Sequence, residues 1–216
     1  MPPRSGKEWG HLVRNRALAA RCVSTYLATM PMDPLPDLAT LSLAEIARLV
    51  EERRLPPVAT WNPTHCGDSE MRIARDGTWF HQGSPIGREA MVRLFSTILR
   101  READGSYVLV TPGEKLDILV EDAPFVAVEM KAEGEGIDAR LAFRLNTGDL
   151  VTADPDHPLR FARGDDGPRP YLAVRGGMEA LLARPVYYEL ADRAVQSDGI
   201  DGVWSAGMFF PLEPAA

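Results

Sequence analysis

The sequence predicts an α+β fold of bent, mainly antiparallel sheets with packed helices and an internal duplication. The hydrophobic period changes from about 3.6 residues to two after Asp104-Gly105, which is the change from helix to strand spacing. Gly and Pro, 18 of each, divide the alternating part into the short runs of small antiparallel sheets. A strand, tight turn, strand and Pro-Arg step occur twice, at 72–88 and 141–160, which indicates duplication.

Composition and charge exclude several classes of protein. The chain has 216 residues, a hydrophobic fraction of 45% and a net charge of −7. It is too apolar for a disordered chain and too acidic to bind nucleic acid through bulk charge. No segment approaches the roughly 20 apolar residues that span a bilayer. We therefore expect a globular protein with no membrane span and no bulk nucleic-acid binding.

The cysteines and histidines are too few and too irregularly spaced for a metal cluster. Cys22 and Cys66 are the only cysteines, and neither has neighbours at the spacing of a zinc site or a disulfide framework. We expect both thiols to be reduced in a cytoplasmic protein that has no metal and no cofactor.

Charge is distributed unevenly along the chain. Residues 1–31 carry a net charge of +4, which leaves −11 for the rest. We expect a disordered basic extension here; the alternative is an amphipathic targeting helix, and Arg21 interrupts the only apolar run that could serve a secretory signal. The rest divides into a helix, hairpin and helix subdomain at 32–104 and a seven-strand plus helix subdomain at 105–212 with a returning C-terminal strand.

The first predicted helix begins after Ser42, because Ser42-Leu43-Ala44-Glu45 is a capping box. Its apolar stripe runs from Leu43 to Val50, and Pro56-Pro57 prevent it from continuing.

A hairpin is predicted from Met71 to Gln82, with Asp76-Gly77 as a two-residue turn. This register places Ile73 opposite Phe80, so that Arg72, Trp79 and His81 share the other face. A second helix is predicted from Pro85 to about Arg101, with Ser84 as its N-cap.

Seven short strands are predicted after Gly105, at 107–111, 116–120, 125–131, 139–146, 150–153, 159–163 and 171–175. A helical stretch follows from Gly177 to about Asp192, in which Pro185 is expected to cause a kink. Strands and helix together suggest a bent sheet or barrel closed by one helix, with the run 203–210 returning over a sheet.

Several motifs resemble a bacterial family known as domain of unknown function 1285. They are Gly67-Asp68, 71–73, 76–80, 84–88, 121–124, 153–161 and 202–205. The resemblance covers about 32–212 and implies a duplicated core, a C-terminal half loosely like a pleckstrin-homology fold, and a nucleotide-like ligand between the halves in signalling. It supplies no catalytic residues.

Almost all of the positive charge is arginine, whose planar fork suits phosphate or carboxylate. Arginines 72, 88, 100, 101, 144, 160 and 175 are candidates, and Arg88 lies in the first turn of a predicted helix, near free amides. We expect a non-enzymatic regulator that binds a small anionic, nucleotide-like ligand in the groove between the two halves. The predicted ligand-binding residues are Asp68, Arg72, Trp79, His81, Arg88, Lys115, Asn146, His157, Arg160 and Trp204.

Two other functions remain open from the sequence. A small hydrolase would use His81 or His157 with Asp68. A protein-interaction module would bind a peptide along one sheet edge, as pleckstrin-like sheets do. For the non-enzymatic regulator, no catalytic residue is predicted.

Overall fold

The computed structural model describes residues 38–52, 55–164 and 167–213. The predicted basic extension, 1–31, lies outside the described residues. A six-stranded sheet has the order β3-β2-β1-β6-β5-β4, in which β1 and β6 are parallel and the other neighbours antiparallel. Its strands are β1 (Cys66–Ile73), β2 (Trp79–His81), β3 (Ser84–Pro85), β4 (Leu99–Arg101), β5 (Tyr107–Val110) and β6 (Lys115–Val120).

The second six-stranded sheet has the order β10-β11-β12-β7-β8-β9, with β12 parallel to β7. Its strands are β7 (Phe125–Glu133), β8 (Arg140–Leu145), β9 (Leu150–Thr152), β10 (Leu159–Gly164), β11 (Gly167–Arg175) and β12 (Met178–Leu182). A third sheet holds β13 (Val195–Ser197), β14 (Ile200–Ser205) and β15 (Met208–Pro211).

Both large sheets share one topology, which confirms the predicted duplication. Each consists of two antiparallel three-stranded meanders, joined because the first strand pairs in parallel with the sixth. By position β1 corresponds to β7. The sequence echo between 72–88 and 141–160 is therefore offset by one strand, since it aligns β1–β2 with β8–β9.

The helices of the described residues are α1 (Leu43–Glu52), α2 (Glu89–Thr97) and α3 (Arg184–Ala191), with 3₁₀ turns at Leu38–Thr40, Val58–Thr60 and Gly136–Asp138. α1 has the predicted capping box, since the Ser42 amide donates to Glu45 Oε2 at 2.8 Å and the Glu45 amide to Ser42 Oγ at 3.3 Å. Leu43 and Ile46 pack on Ala142 of the second sheet. The α+β class is confirmed.

The larger of two hydrophobic clusters among the described residues runs through both large sheets. It includes Trp79 of the first sheet, Phe95 of α2, and Phe125 and Phe143 of the second sheet. The third sheet joins this core through Val203 and Phe210. Its Ser205 hydroxyl donates to the Ala153 carbonyl at 2.6 Å and accepts the Leu141 amide at 2.9 Å.

The register predicted for the first hairpin is wrong by one residue. Ile73 lies opposite Trp79, not Phe80. The Ala74 amide donates to the Thr78 carbonyl at 2.9 Å, so three residues, 75–77, form the loop. Because a one-residue shift moves every side chain to the other face, Trp79 lies in the core while Arg72 and Phe80 lie outside.

The predicted second helix is shorter at both ends. Gln82 and Gly83 adopt positive φ angles of 50° and 78° and turn the chain into β3, which contains Ser84 and Pro85. Proline is tolerated there because β3 is an edge strand. The helix begins only after Arg88, and residues Leu99–Arg101 form β4 instead of its last turn.

The seven strands predicted after Gly105 all exist, as β5 to β11. β5 and β6 belong to the first sheet, so that sheet extends beyond residue 104 to Val120. The helix predicted from Gly177 is wrong in its first half, where Met178–Leu182 forms β12, and Pro185 lies at the start of α3 instead of kinking it. The subdomain division at 104 stays a prediction.

Candidate functional site

A cleft of about 530 Å³ lies between the two large sheets. One wall is β4 with the segment 55–59, and the other is the turn between β11 and β12. Its charged lining consists of Arg100, Arg101, Glu102 and Arg175. Three arginines against one glutamate give this lining a net charge of +2, which favours an anion.

Arg100 is fixed by hydrogen bonds around its guanidinium group. Nε and Nη2 donate to Glu102 Oε1 at 2.9 and 2.6 Å. Nη1 donates to the carbonyls of Val58 and Trp61 at 2.8 and 2.7 Å. Arg100 therefore holds the segment 58–61 against β4, and Glu102 compensates its charge.

Arg101 connects the two sheets across the cleft, and Arg175 connects the second sheet to α2. Arg101 Nη1 donates to the Gly177 carbonyl at 2.8 Å, and Arg175 Nη2 donates to the Ser96 carbonyl at 2.9 Å. Arg175 Nη1 also lies 2.9 Å from Oδ2 of the buried Asp149. Burial lowers the pKa of Arg175 to about 10, so the side chain remains charged at neutral pH.

Arg101 has donors that its structural contact does not use. Among the described residues it has no carboxylate partner, and its hydrogen bond to Gly177 occupies Nη1 alone. The side chain is placed over the Tyr107 ring, 5.9 Å from the centroid. The N–H groups on Nε and Nη2 are therefore the donors best able to hold an anion in the cleft.

A second cavity, of about 690 Å³, adjoins the cleft and shares Leu55 and Arg175 with it. It lies between α1 and β9, and most of its lining is aliphatic. The charged or titratable residues around it are Arg140, Asp149, Asp154, His157 and Arg175. A largely apolar cavity with a few convergent polar groups is the usual form of a binding site.

His157 and Asp154 both line this second cavity. Asp154 Oδ1 accepts the amides of Asp156 and His157 at 2.9 and 2.7 Å, and it lies 3.0 Å from His157 Nδ1. These contacts stabilise the turn that leads from β9 to β10.

Four of the predicted ligand-binding residues lie on β1 and β2. Asp68 is exposed, and its Oδ1 accepts the Glu70 amide at 2.8 Å. Arg72 pairs with Glu121 on the outer face. His81 is exposed, whereas Trp79 is only 1% exposed and stacks on Phe95, so a ligand does not reach its ring in this structure.

Three more predicted residues have mainly backbone or interdomain contacts. Arg88 is exposed at the N-cap of α2, where its carbonyl accepts the Met91 amide at 2.9 Å. The Lys115 amide donates to the His65 carbonyl at 2.9 Å. Asn146 donates to the Gly77 carbonyl and thereby joins the two sheets.

The last three predicted residues belong to the second and third sheets. His157 lines the second cavity, and Arg160 pairs with Glu179 while lying 4.3 Å from the centroid of the Tyr171 ring. Trp204 packs on Phe209 at the third sheet. The ten predicted residues do not converge, and none of them lines the interdomain cleft. Their binding roles stay predictions.

The arginines that line the cleft were candidates by residue type, but no spacing in the sequence connects them. Arg101 and Arg175 lie in different sheets, and they reach one cleft because the end of β4 packs against the turn between β11 and β12, where Arg101 donates to the Gly177 carbonyl. The usable local signal is Asp104-Gly105, a turn pair that places Arg100 and Arg101 at the end of a hairpin strand.

The hydrolase arrangement has no support from hydrogen bonding. Within the described ranges, no hydrogen bond connects Asp68 with His81 or His157, and the Cys66 thiol is exposed. The described residues also contain no cluster of His, Cys, Asp and Glu that could hold a metal ion. No helix in this part of the chain has the length and hydrophobicity needed to cross a membrane.

Comparison with known proteins identifies related chains. The sequence models of DUF1285, a domain of unknown function, match residues 56–123 as its N-terminal domain and 124–212 as its C-terminal domain. A DUF1285 family protein from Silicibacter pomeroyi DSS-3, with a crystal structure, is 46% identical, with a TM-score of 0.71 over 84% of this chain and 95% of that one.

A second solved structure, a DUF1285 family protein from Shewanella baltica OS155, is 27% identical, with a TM-score of 0.46 over 57% of this chain and 91% of that one. No curated protein matches the chain. With both domain models in sequence and a close structural relative over most of its length, the chain belongs to the DUF1285 family.

Proposed function

We propose that this protein is a non-enzymatic, cytoplasmic regulator in signal transduction that binds a small, nucleotide-like anion in the cleft between its two sheets. The observation that carries the proposal is the charge of the cleft: three arginines and one glutamate line it, and Arg101 has no carboxylate partner among the described residues. The Cys66 thiol is exposed and has no disulfide to any described residue, which is compatible with a reducing compartment.

Preorganisation of the arginines supports anion binding. Arg100 and Arg175 are held by carboxylates and carbonyls on both sides of the cleft, so little side-chain entropy remains to be lost when a ligand binds. Arg101 is held by the Gly177 carbonyl through one nitrogen and keeps the others for the ligand. We assign to Arg101 the direct contact with the phosphate or carboxylate.

The uncharged lining suits the remainder of such a ligand. Pro56, Pro57, Val58 and Met178 provide an apolar surface, and Asn62 offers an amide for a base edge. Neither Trp79 nor Trp204 lines the cleft, so the proposed base contacts are apolar packing instead of stacking on tryptophan.

The experiment is a thermal-shift panel followed by calorimetric titration. Adenosine and guanosine monophosphates, ribose 5-phosphate and inorganic phosphate are compared with the uncharged nucleosides. We expect at least one phosphorylated compound to raise the melting temperature and its parent nucleoside to have no effect.

Arg101→Gln is expected to weaken binding about tenfold or more, since a charge-assisted contact is lost. Arg163→Gln, which removes an exposed arginine of β10, is the charge-matched control and should bind like the wild type. The proposal fails if no anion of the panel binds, or if Arg101→Gln binds the phosphorylated compound as tightly as Arg163→Gln does. The same panel, assayed for phosphoesterase and esterase turnover, tests the hydrolase alternative.

A further inference from the structure

The outer edge of the second sheet is open along β9. The Leu145 amide donates to the Asp149 carbonyl at 2.8 Å, and the Ala153 amide donates to the Leu141 carbonyl at 2.9 Å. In an antiparallel pair such bonds alternate, so the amides and carbonyls of the residues between them, Leu150 and Thr152, point away from β8. No hydrogen bond among the described residues uses these four groups.

The second cavity forms a groove along this open edge. Leu150 and Thr152 line one side, and Ala47 and Val50 of α1 line the other together with Leu55, which follows the helix. Only part of the apolar stripe of α1 is covered by the sheet, since Val50 remains 39% exposed. Leu55, which follows the helix in the chain, is 36% exposed. A backbone edge next to an aliphatic wall has the features that an added strand requires.

The charges of the groove indicate what kind of segment fits. Of its two carboxylates, Asp149 pairs with Arg175 at 2.9 Å, and Asp154 Oδ1 accepts the backbone amides of Asp156 and His157. Arg140 also lines the groove, and it has no carboxylate partner in the described ranges. An acidic side chain on the partner would be complementary to this guanidinium group.

We propose that the groove beside β9 binds an extended peptide segment of a partner protein by strand addition. The peptide backbone pairs with Leu150 and Thr152, alternate aliphatic side chains pack against Val50 and Leu55, and an acidic side chain pairs with Arg140. The groove shares Leu55 and Arg175 with the anion cleft but does not include Arg101, which makes the assigned anion contact, so either proposal can fail alone.

The probe is a dye-labelled peptide of about six residues, long enough to extend along β9. It alternates valine and threonine and ends in two aspartates. Fluorescence anisotropy with the full chain compares it with a peptide ending in two lysines and with one N-methylated at alternate amides. We expect the lysine peptide to bind about tenfold more weakly and the N-methylated peptide to lose binding.

Two variants identify the groove as the binding site. Thr152→Pro removes an outward amide and leaves the pairing with β8 intact, so it should abolish binding, whereas Thr152→Val keeps the amide and should bind normally. Arg140→Glu lies at an exposed position and should reverse the preference to the lysine peptide. Arg101→Gln should leave the peptide affinity unchanged.

Circular dichroism and the melting temperature show whether Thr152→Pro is folded, and the charge reversal tests the proposal without that variant. The proposal is overturned if the acidic and lysine peptides bind alike, or if a folded Thr152→Pro still binds. It is also overturned if the chain forms a dimer that Thr152→Pro abolishes and the peptide does not displace, because the groove would then hold a second copy.

Discussion

The side chain of Asn146 connects the first hairpin to the second sheet through the backbone of Gly77. Asn146 Nδ2 donates to the Gly77 carbonyl at 3.2 Å, and Oδ1 accepts the amide of Val126 at 3.1 Å. One amide side chain thus satisfies a donor in β7 and an acceptor in a turn 69 residues away along the chain. The contact therefore helps to fix the position of the first hairpin against the second sheet.

Replacing Asn146 with leucine should destabilise the protein by about 1–3 kcal/mol, because the Val126 amide and the Gly77 carbonyl lose their partner without gaining water. Chemical denaturation measures the free energy of unfolding. Asn62→Leu, at an exposed position, is the control and should stay within about 0.5 kcal/mol of the wild type. Equal effects of the two variants would show that Asn146 does not stabilise the junction.

A glycine series separates backbone strain from crowding at the same junction. Gly77 has a φ of +83°, and a Cβ there would lie 2.6 Å from Asn146 Nδ2 and 2.8 Å from Val126 Cγ2. Gly83 has a φ of +78° but open space, and Gly113 has open space without a positive φ. The alanine variants should cost about 0 kcal/mol at Gly113, about 1 at Gly83 and clearly more at Gly77.

Thermal and denaturant unfolding of the three alanine variants provide the measurement. If Gly77→Ala costs no more than Gly83→Ala, the turn moves easily away from Asn146, and the close packing of the two sheets at this point has little energetic value.

The sequence predicts those helices and strands well whose bounds depend on neighbouring residues, such as a helix cap or an alternating apolar run. The Ser42–Glu45 capping box and the Pro56-Pro57 pair define α1, and the alternating runs identify β5 to β11. The length of a turn is harder to predict from the sequence, because Asp76-Gly77 is compatible with loops of two or three residues. Here the Thr78 amide donates to Asp76 Oδ1 at 2.9 Å in the longer loop, which shifts the register and buries Trp79.

Long-range pairing explains the other differences. Met178, Ala180 and Leu182 alternate as buried residues of a strand, but this strand is stabilised by parallel pairing with β7, more than 50 residues earlier. The cleft is non-local in the same way, since it combines residues 100–102 with Arg175. Residue type selected these arginines as candidates, and only the sheet topology brings them together.

Arg175 should contribute far more to the free energy of unfolding than an exposed arginine does. Arg175→Leu leaves the carboxylate of Asp149, itself 4% exposed, without the guanidinium that faces it, and we expect a loss of about 3 kcal/mol or more. The double variant Arg175→Leu/Asp149→Leu should cost less than the sum of the two single changes.

Arg160→Leu provides the matched control. Its ion pair with Glu179 has a half-exposed guanidinium, and such pairs contribute about 0–1 kcal/mol. The losses in unfolding free energy are measured by denaturant unfolding. If the loss of the double variant equals the sum of the losses at Arg175 and Asp149, the two residues do not form a coupled buried pair.

Two glutamates should give opposite pH dependences of stability. Glu114 is 3% exposed and its Oε1 has no hydrogen-bond partner among the described residues, so burial raises the pKa of this carboxyl above its ordinary value of 4.5 despite the opposing charge of His65. As the pH rises above 4.5, the unfolded chain loses this proton first, and stability falls until the folded carboxyl also ionises. Glu114→Gln removes this penalty, so its stability relative to the wild type should increase with pH over that range.

Glu45 is the control with the opposite sign. Hydrogen bonds from the amide and hydroxyl of Ser42 lower the pKa of the Glu45 carboxyl. Its contribution is therefore present above the unfolded pKa and is lost as the pH falls through the folded pKa. Glu45→Gln should be less stable than the wild type at neutral pH and should approach it in acid. Relative to the wild type, the free energy of unfolding should thus increase with pH for Glu114→Gln and decrease with pH for Glu45→Gln. A change in the same direction for both variants would contradict the burial of Glu114.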